Sequence, residues 1–122
     1  MTIFRCVGCR QPLTDEVESG EPVQGPERPA GHAIASPRMA AGTFKVSFDA
    51  RLLIVHPDDL PGVARHPDAR RLAGCCGPSG LDGPNLVCSG CGAEVATKES
   101  DCWTDNYVAL IAAAITDEPT AS

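Results

Sequence analysis

Seven of the 122 residues are cysteines, and four of them fall into two near copies of one element. Arg5-Cys6-Val7-Gly8-Cys9-Arg10 and Val87-Cys88-Ser89-Gly90-Cys91-Gly92 both read Cys-x-Gly-Cys, each entered from a short apolar stretch and left toward another. A turn of this kind aims both sulfurs at one point and offers backbone N–H groups to the thiolates. Two such turns facing each other supply four sulfurs at the corners of a tetrahedron, the closed coordination that structural Zn²⁺ takes. Iron uses the same sulfur geometry and is the second choice of metal.

In these two knuckles the sequence resembles zinc-ribbon proteins, in which a pair of such turns clasps one zinc. The likeness covers residues 2–13 and 85–97 and concerns an architecture rather than a particular family. Carried over position by position, it makes Cys6, Cys9, Cys88 and Cys91 the ligands. The chain departs from a compact ribbon in having seventy-eight residues between Cys9 and Cys88. Each doubling of loop length costs only about 0.6 kcal/mol, against about 10–16 kcal/mol available from structural zinc. The separation is therefore no obstacle, and the intervening residues become an insertion beside the ribbon.

Cys75, Cys76 and Cys102 remain. Cys102 lies eleven residues after Cys91, and Cys76 twelve before Cys88, so both can reach the same end of the second hairpin. With His66 they make a second four-ligand set, giving one or two Zn²⁺ per chain. A local set of Cys76, Cys88, Cys91 and Cys102 also works on paper, as does the plain alternative of a core thiol at Cys102 and a loop pair at Cys75-Cys76. His56, before Pro57, ranks behind His66, and His32 reads as solvated. The vicinal Cys75-Cys76 pair also suits a sensor of soft metals or oxidants. Neither knuckle sits at a helix start in a βαβ unit, as a thioredoxin-type redox pair does. No His-Glu-x-x-His, Gly-x-Ser-x-Gly or glycine-rich loop with Lys occurs. Pro78-Ser79-Gly80 is turn chemistry, and Asp58-Asp59 and Asp15-Glu16 read as solvated faces. A four-cysteine site leaves no open metal position, so the expected role is not enzymatic.

The elements that must position these thiols follow from pattern. Residues 2–13 read as strand, cysteine turn, strand. Residues 15–42 are rich in Pro and Gly and read as a linker-like insertion. Thr43 to Phe48 alternates strictly, with Phe44, Val46 and Phe48 on one face. Asp49-Ala50 makes a turn, and Arg51 to His56 is a buried strand stopped by Pro57. Residues 58–73 should hold short helical turns, one beginning at Asp68, and 74–84 is loop. Short strands at 85–87 and 93–97 flank the second knuckle. A C-terminal helix is expected, with Thr104 as N-cap, Asp105 in the first turn and Trp103 packed on Val108. Its apolar stripe is Tyr107, Val108, Ile111, Ala112 and Ile115. The expected fold class is α+β: a small zinc-ribbon-like β core with an inserted strand pair, irregular loops and one C-terminal helix, all in a single domain over 1–122.

Composition sets the remaining bounds. Hydrophobic residues make up 43%, but 16 of them are Ala and only 25 residues are Leu, Ile, Val or Phe. A core that thin calls for a staple such as a metal. The net charge of −6 opposes nucleic-acid binding, since Asp58, Asp59 and Asp68 interrupt the candidate patch of Arg65, Arg70 and Arg71. No secretory signal or membrane span is readable, and an odd cysteine count argues against a disulfide framework. The cytoplasm is the expected compartment. The expected role is a zinc-stabilised interaction or regulatory module whose partner is another protein, met through residues 56–84 or the Pro-rich segment. The alternatives are a nucleic-acid-binding regulator and a thiol sensor. Oligomeric state is left open.

Overall fold

A computed structural model describes residues 1–22, 37–47, 50–72, 78, 80, 83–100 and 106–119. Nine strands occur among them: β1 (Thr2–Cys6), β2 (Glu18–Ser19), β3 (Thr43–Val46), β4 (Leu52–Val55), β5 (Val63–Arg65), β6 (Leu86–Cys88), β7 (Glu94–Glu99), β8 (Tyr107–Ile111) and β9 (Ile115–Pro119). β1 and β9 pair antiparallel, and the others form a seven-stranded sheet in the order β2-β3-β4-β8-β7-β6-β5. Only β2 against β3 is parallel. The stretch after the first knuckle joins the two sheets. It bridges β1 through Thr2 and Val17, and then pairs with β3 as β2.

The inserted strand pair forms as the alternation predicts. Phe44 faces Val55 and Val46 faces Leu53 across β3 and β4. Ala50 takes a positive φ of 60° in the turn between them, while Phe48 and Asp49 lie outside the described residues. A single-turn 3₁₀ segment at Ala69–Leu72 follows Asp68, also as expected. The linker-like insertion is held at both described margins. Val17 and Met39 are fully buried, and Pro37 bridges Asn106.

The expected C-terminal helix is not there, and the α+β class is corrected to a mostly β fold, with no helix of seven or more residues among those described. Tyr107–Ile111 is the strand β8, and Ala112–Ala114 is a 3₁₀ turn that leads into β9. The reason lies in the run itself. Five successive apolar residues fit a helical stripe and a doubly buried strand equally well, so periodicity cannot separate them. Tyr, Val and Ile favour the strand, and tertiary pairing decides. β8 lies between β4 and β7, hydrogen-bonded on both sides, and Val108, Ala109 and Leu110 are all buried. A strand in that place needs apolar side chains on both faces. The expected cap and staple residues Trp103, Thr104 and Asp105 lie outside the described residues. Pro119, expected beyond the helix, is the last residue of β9.

The core unites both sheets. Phe4 from β1 meets Phe44 from β3 edge to face at 5.0 Å, and Phe4 shares one core cluster with Leu13, Val17, Val55, Val95 and Leu110. Cys6 and Cys88 belong to the same cluster. Asn85, fully buried before β6, donates to Lys98 O at 2.9 Å and accepts from Lys98 N at 2.7 Å. Its amide thereby serves backbone groups where the β6–β7 register shifts. Among the described residues no helix is long and apolar enough to cross a membrane, which says nothing about a β-barrel.

The centre of the sheet should be the costliest place to cut. Leu110→Ala is expected to lose about 2–5 kcal/mol in denaturant unfolding, with Ile111→Ala, on the less buried side, losing clearly less. Far-ultraviolet circular dichroism should show a β spectrum without the helical band near 222 nm that a C-terminal helix would contribute.

Candidate metal centre

The two Cys-x-Gly-Cys elements fold into the same turn. In the first, Cys6 N donates to Gln11 O at 2.9 Å and Arg10 N to Cys6 O at 2.8 Å. In the second, Cys88 N donates to Ala93 O at 2.8 Å and Gly92 N to Cys88 O at 2.9 Å. The residue after the second cysteine is left-handed in both, with φ of 65° at Arg10 and 78° at Gly92. Only glycine takes that conformation freely, so the first knuckle holds a strained arginine where the second has the residue the geometry prefers. The N–H groups serve the sulfurs in parallel fashion. Cys9 receives the Gln11 N–H and Cys91 the Ala93 N–H, each two residues on. Cys88 receives those of Gly90 and Cys91.

Facing each other, the turns bring Cys6, Cys9, Cys88 and Cys91 together with all four sulfurs within 4.8 Å of one another. Cys6 Sγ lies 3.6 Å from Cys91 Sγ, and Cys9 Sγ 3.5 Å from Cys88 Sγ. A tetrahedral ion with metal–sulfur bonds of about 2.3 Å requires edges of about 3.8 Å, so little movement separates this cluster from a ligand shell. The four thiols are free. Among the described residues this is the one group of three or more His, Cys, Asp or Glu side chains arranged to hold a metal ion. Cys6 and Cys88 are buried in the core while Cys9 and Cys91 are exposed.

The thiols do not titrate alike. Burial pushes the Cys88 thiol up, but the Cys91 and Gly90 N–H groups and the neighbouring thiols prevail and bring it down to about 7. At Cys9 the Gln11 N–H pulls down, yet contact with Cys88, burial and the remaining sulfurs raise the thiol to about 11. Cys91 is raised too: the Ala93 N–H opposes the rise, while Cys6 and burial drive it. Cys88 thus takes a negative charge before Cys9 or Cys91, and those two thiols act as donors to it.

A third segment locks the knuckles together. The Gly62 carbonyl accepts from Ser89 N and Ser89 Oγ, both at 3.0 Å, and from Gln11 Nε2 at 3.1 Å. Gln11 Nε2 also donates to Ser89 Oγ at 2.6 Å, and Gly62 N donates to Leu13 O at 3.2 Å. The chain passes so close here that a Cβ on Gly62 would lie 2.0 Å from Pro12 O. Gln11, Ser89 and Gly62 carried no signal in the sequence. Arg10 did, because aligning the two knuckles places it opposite Gly92.

Cys75, Cys76 and Cys102 lie outside the described residues, as does His32. His66 has both ring nitrogens engaged: Nδ1 accepts from Asp68 N at 2.9 Å and Nε2 meets Glu94 Oε2 at 3.1 Å. His56 Nδ1 accepts from Asp58 N at 3.0 Å and caps the 3₁₀ turn Pro57–Asp59. Asp59, read from sequence as part of a solvated face, is instead buried and accepts from Gly42 N at 2.7 Å.

The equivalence of the turns is testable at their left-handed positions. Gly92→Ala should cost about 1 kcal/mol although nothing crowds the site. Arg10→Gly should leave stability unchanged or raise it by up to about 1 kcal/mol, both read from thermal unfolding. Compared with models of protein families, with curated proteins and with solved structures, the chain gives no match.

Proposed function

We propose that this chain is a non-enzymatic module in which Cys6, Cys9, Cys88 and Cys91 hold one structural Zn²⁺, and that it acts by presenting a rigid surface to another protein. The observation that carries the reading is the meeting of four sulfurs from two identical turns, half sunk in the core. Four thiolates fill a tetrahedral ion and leave no position for substrate or water, which favours a staple over a catalyst. Of the candidate surfaces, the part of 56–84 nearest the centre is the best placed. The Gly62 carbonyl bonds both knuckles, so an ion that fixes the knuckles also fixes the segment between β4 and the 3₁₀ turn at Ala69–Leu72. A protein partner is favoured over nucleic acid by charge. The net charge is −6, a zinc ion with four thiolates adds a dianion, Arg70 is spent on Asp68, and Arg71 on Glu94.

Native mass spectrometry with metal analysis, on protein purified without added zinc, tests the reading directly. One zinc per chain is expected; two would bring Cys75, Cys76, Cys102 and His66 into play as a second site, and none would refute the proposal. Stripping the metal with a chelator should lower the melting temperature by more than about 10 °C, since several kcal/mol are removed. Cys88→Ser should lose the metal outright. Affinity should rise with pH. Cys9, pushed up to about 11, and Cys91, also raised, arrive protonated at neutral pH. Zinc must displace those protons, so acidification favours the protonated, metal-free cluster. A competition titration that shows no fall in zinc affinity from pH 8 to pH 6, values about which Cys88 also titrates, would contradict thiolate ligation.

A further inference from the structure

The exposed and buried sulfurs alternate across the cluster. Exposed Cys9 lies 3.5 Å from buried Cys88, and exposed Cys91 lies 3.6 Å from buried Cys6. Both of these contacts run between knuckles. With all four sulfurs held as thiolates by a metal, access to solvent decides which is oxidised first, and a dissolved oxidant meets exposed Cys9 and Cys91 before buried Cys6 and Cys88. A sulfenic acid formed at either one already has a second sulfur against it, held on the opposite turn.

Resting on the metal-centre reading above, we propose that the cluster is an oxidative modification site. Hydrogen peroxide or another hydroperoxide converts it into two disulfides between the knuckles, Cys9–Cys88 and Cys6–Cys91, and the metal leaves. In each pair the exposed thiolate attacks the terminal peroxide oxygen, the O–O bond breaks, the sulfur becomes S–OH, and hydroxide departs from hydrogen peroxide or an alkoxide from an organic hydroperoxide. The buried thiolate then attacks that sulfur, an S–S bond forms and its hydroxide departs. Each disulfide passes two electrons to one peroxide. When both have formed, no thiolate remains to hold the ion, which leaves as the hydrated dication.

The pairing determines what oxidation does to the fold. Links within a knuckle would close small rings and leave the two turns unconnected. The proposed links join residues 79 and 85 positions apart, the same segments that the metal joins. Loops of that length strongly restrict the unfolded chain. One staple replaces another, and the bridge at Gly62 stays in place.

The test is a peroxide titration of the zinc-loaded chain. About two equivalents should release all the zinc to a chromogenic chelator and lower the mass by about 4 Da from that of the reduced chain. Fragmentation between Val7 and Gly8, and between Ser89 and Gly90, should place the links at Cys9–Cys88 and Cys6–Cys91. The melting transition should survive metal loss and collapse only when reductant is added with the chelator. In Cys88→Ser, a sulfenic-acid trap should accumulate at Cys9. Links within a knuckle, links that recruit Cys75, Cys76 or Cys102, or sulfinic acids at Cys9 and Cys91 without disulfides would overturn the proposal. The same titration on reduced, chelator-treated protein separates the two readings. A chain that never carried metal defeats the functional reading, while the links it forms still decide the pairing.

Discussion

Two turns separated by seventy-eight residues must come within a few ångströms of each other, and most of the described structure answers to that requirement. β1 ends at Cys6 and β6 at Cys88, so each strand delivers its first cysteine into the core, and the second cysteine of each turn is left at the surface. The thiols are apolar enough to be buried as core residues when protonated and polar enough to want N–H donors when charged. The turns satisfy both demands, with apolar neighbours beneath the sulfurs and backbone amides aimed at them. Gly62 completes the arrangement, because its carbonyl can accept from both knuckles only where a side chain is absent.

The sheet solves the problem of a sparse apolar complement by concentrating it. Val108, Ala109 and Leu110 are buried together in β8, flanked by β4 and β7, where one short run serves two faces at once. Among the described residues buried polar side chains are few and none lacks a partner. Asn85 completes the backbone of Lys98, Asp59 receives the Gly42 amide, and Thr14 Oγ1 accepts from Phe4 N at 3.1 Å. In so small a core an unpaired polar group would cost a large share of the net stability.

The four-cysteine cluster was legible because ligand spacing is a local property: Cys-x-Gly-Cys defines its own turn, and two copies imply a meeting. The β3–β4 pair was legible for the same reason, through strict alternation from Thr43. What could not be read was whatever depended on neighbours. Tyr107 to Ile111 carries no period that distinguishes helix from strand, and only the presence of β4 and β7 on either side resolves it. Asp59 is indistinguishable in sequence from its exposed neighbour Asp58, because its burial depends on Gly42, seventeen positions away. The roles of Gln11, Ser89 and Gly62 exist only once the knuckles face each other.

The pairing of β1 with β9 has a consequence for how such a chain comes into being. Thr2–Cys6 is made more than a hundred residues before Ile115–Pro119, yet they register residue for residue. During synthesis the first strand has no partner along one edge until almost all of these residues have emerged, and the first knuckle holds half of the four-cysteine cluster until Cys88 appears. Folding dominated by such distant contacts is slow, and an unpaired apolar strand edge invites association with other chains. The order of synthesis therefore leaves a period in which Cys6, Cys9 and the edge of β1 are all open. Capture of the second knuckle, and of a metal ion if one binds, must come after that period.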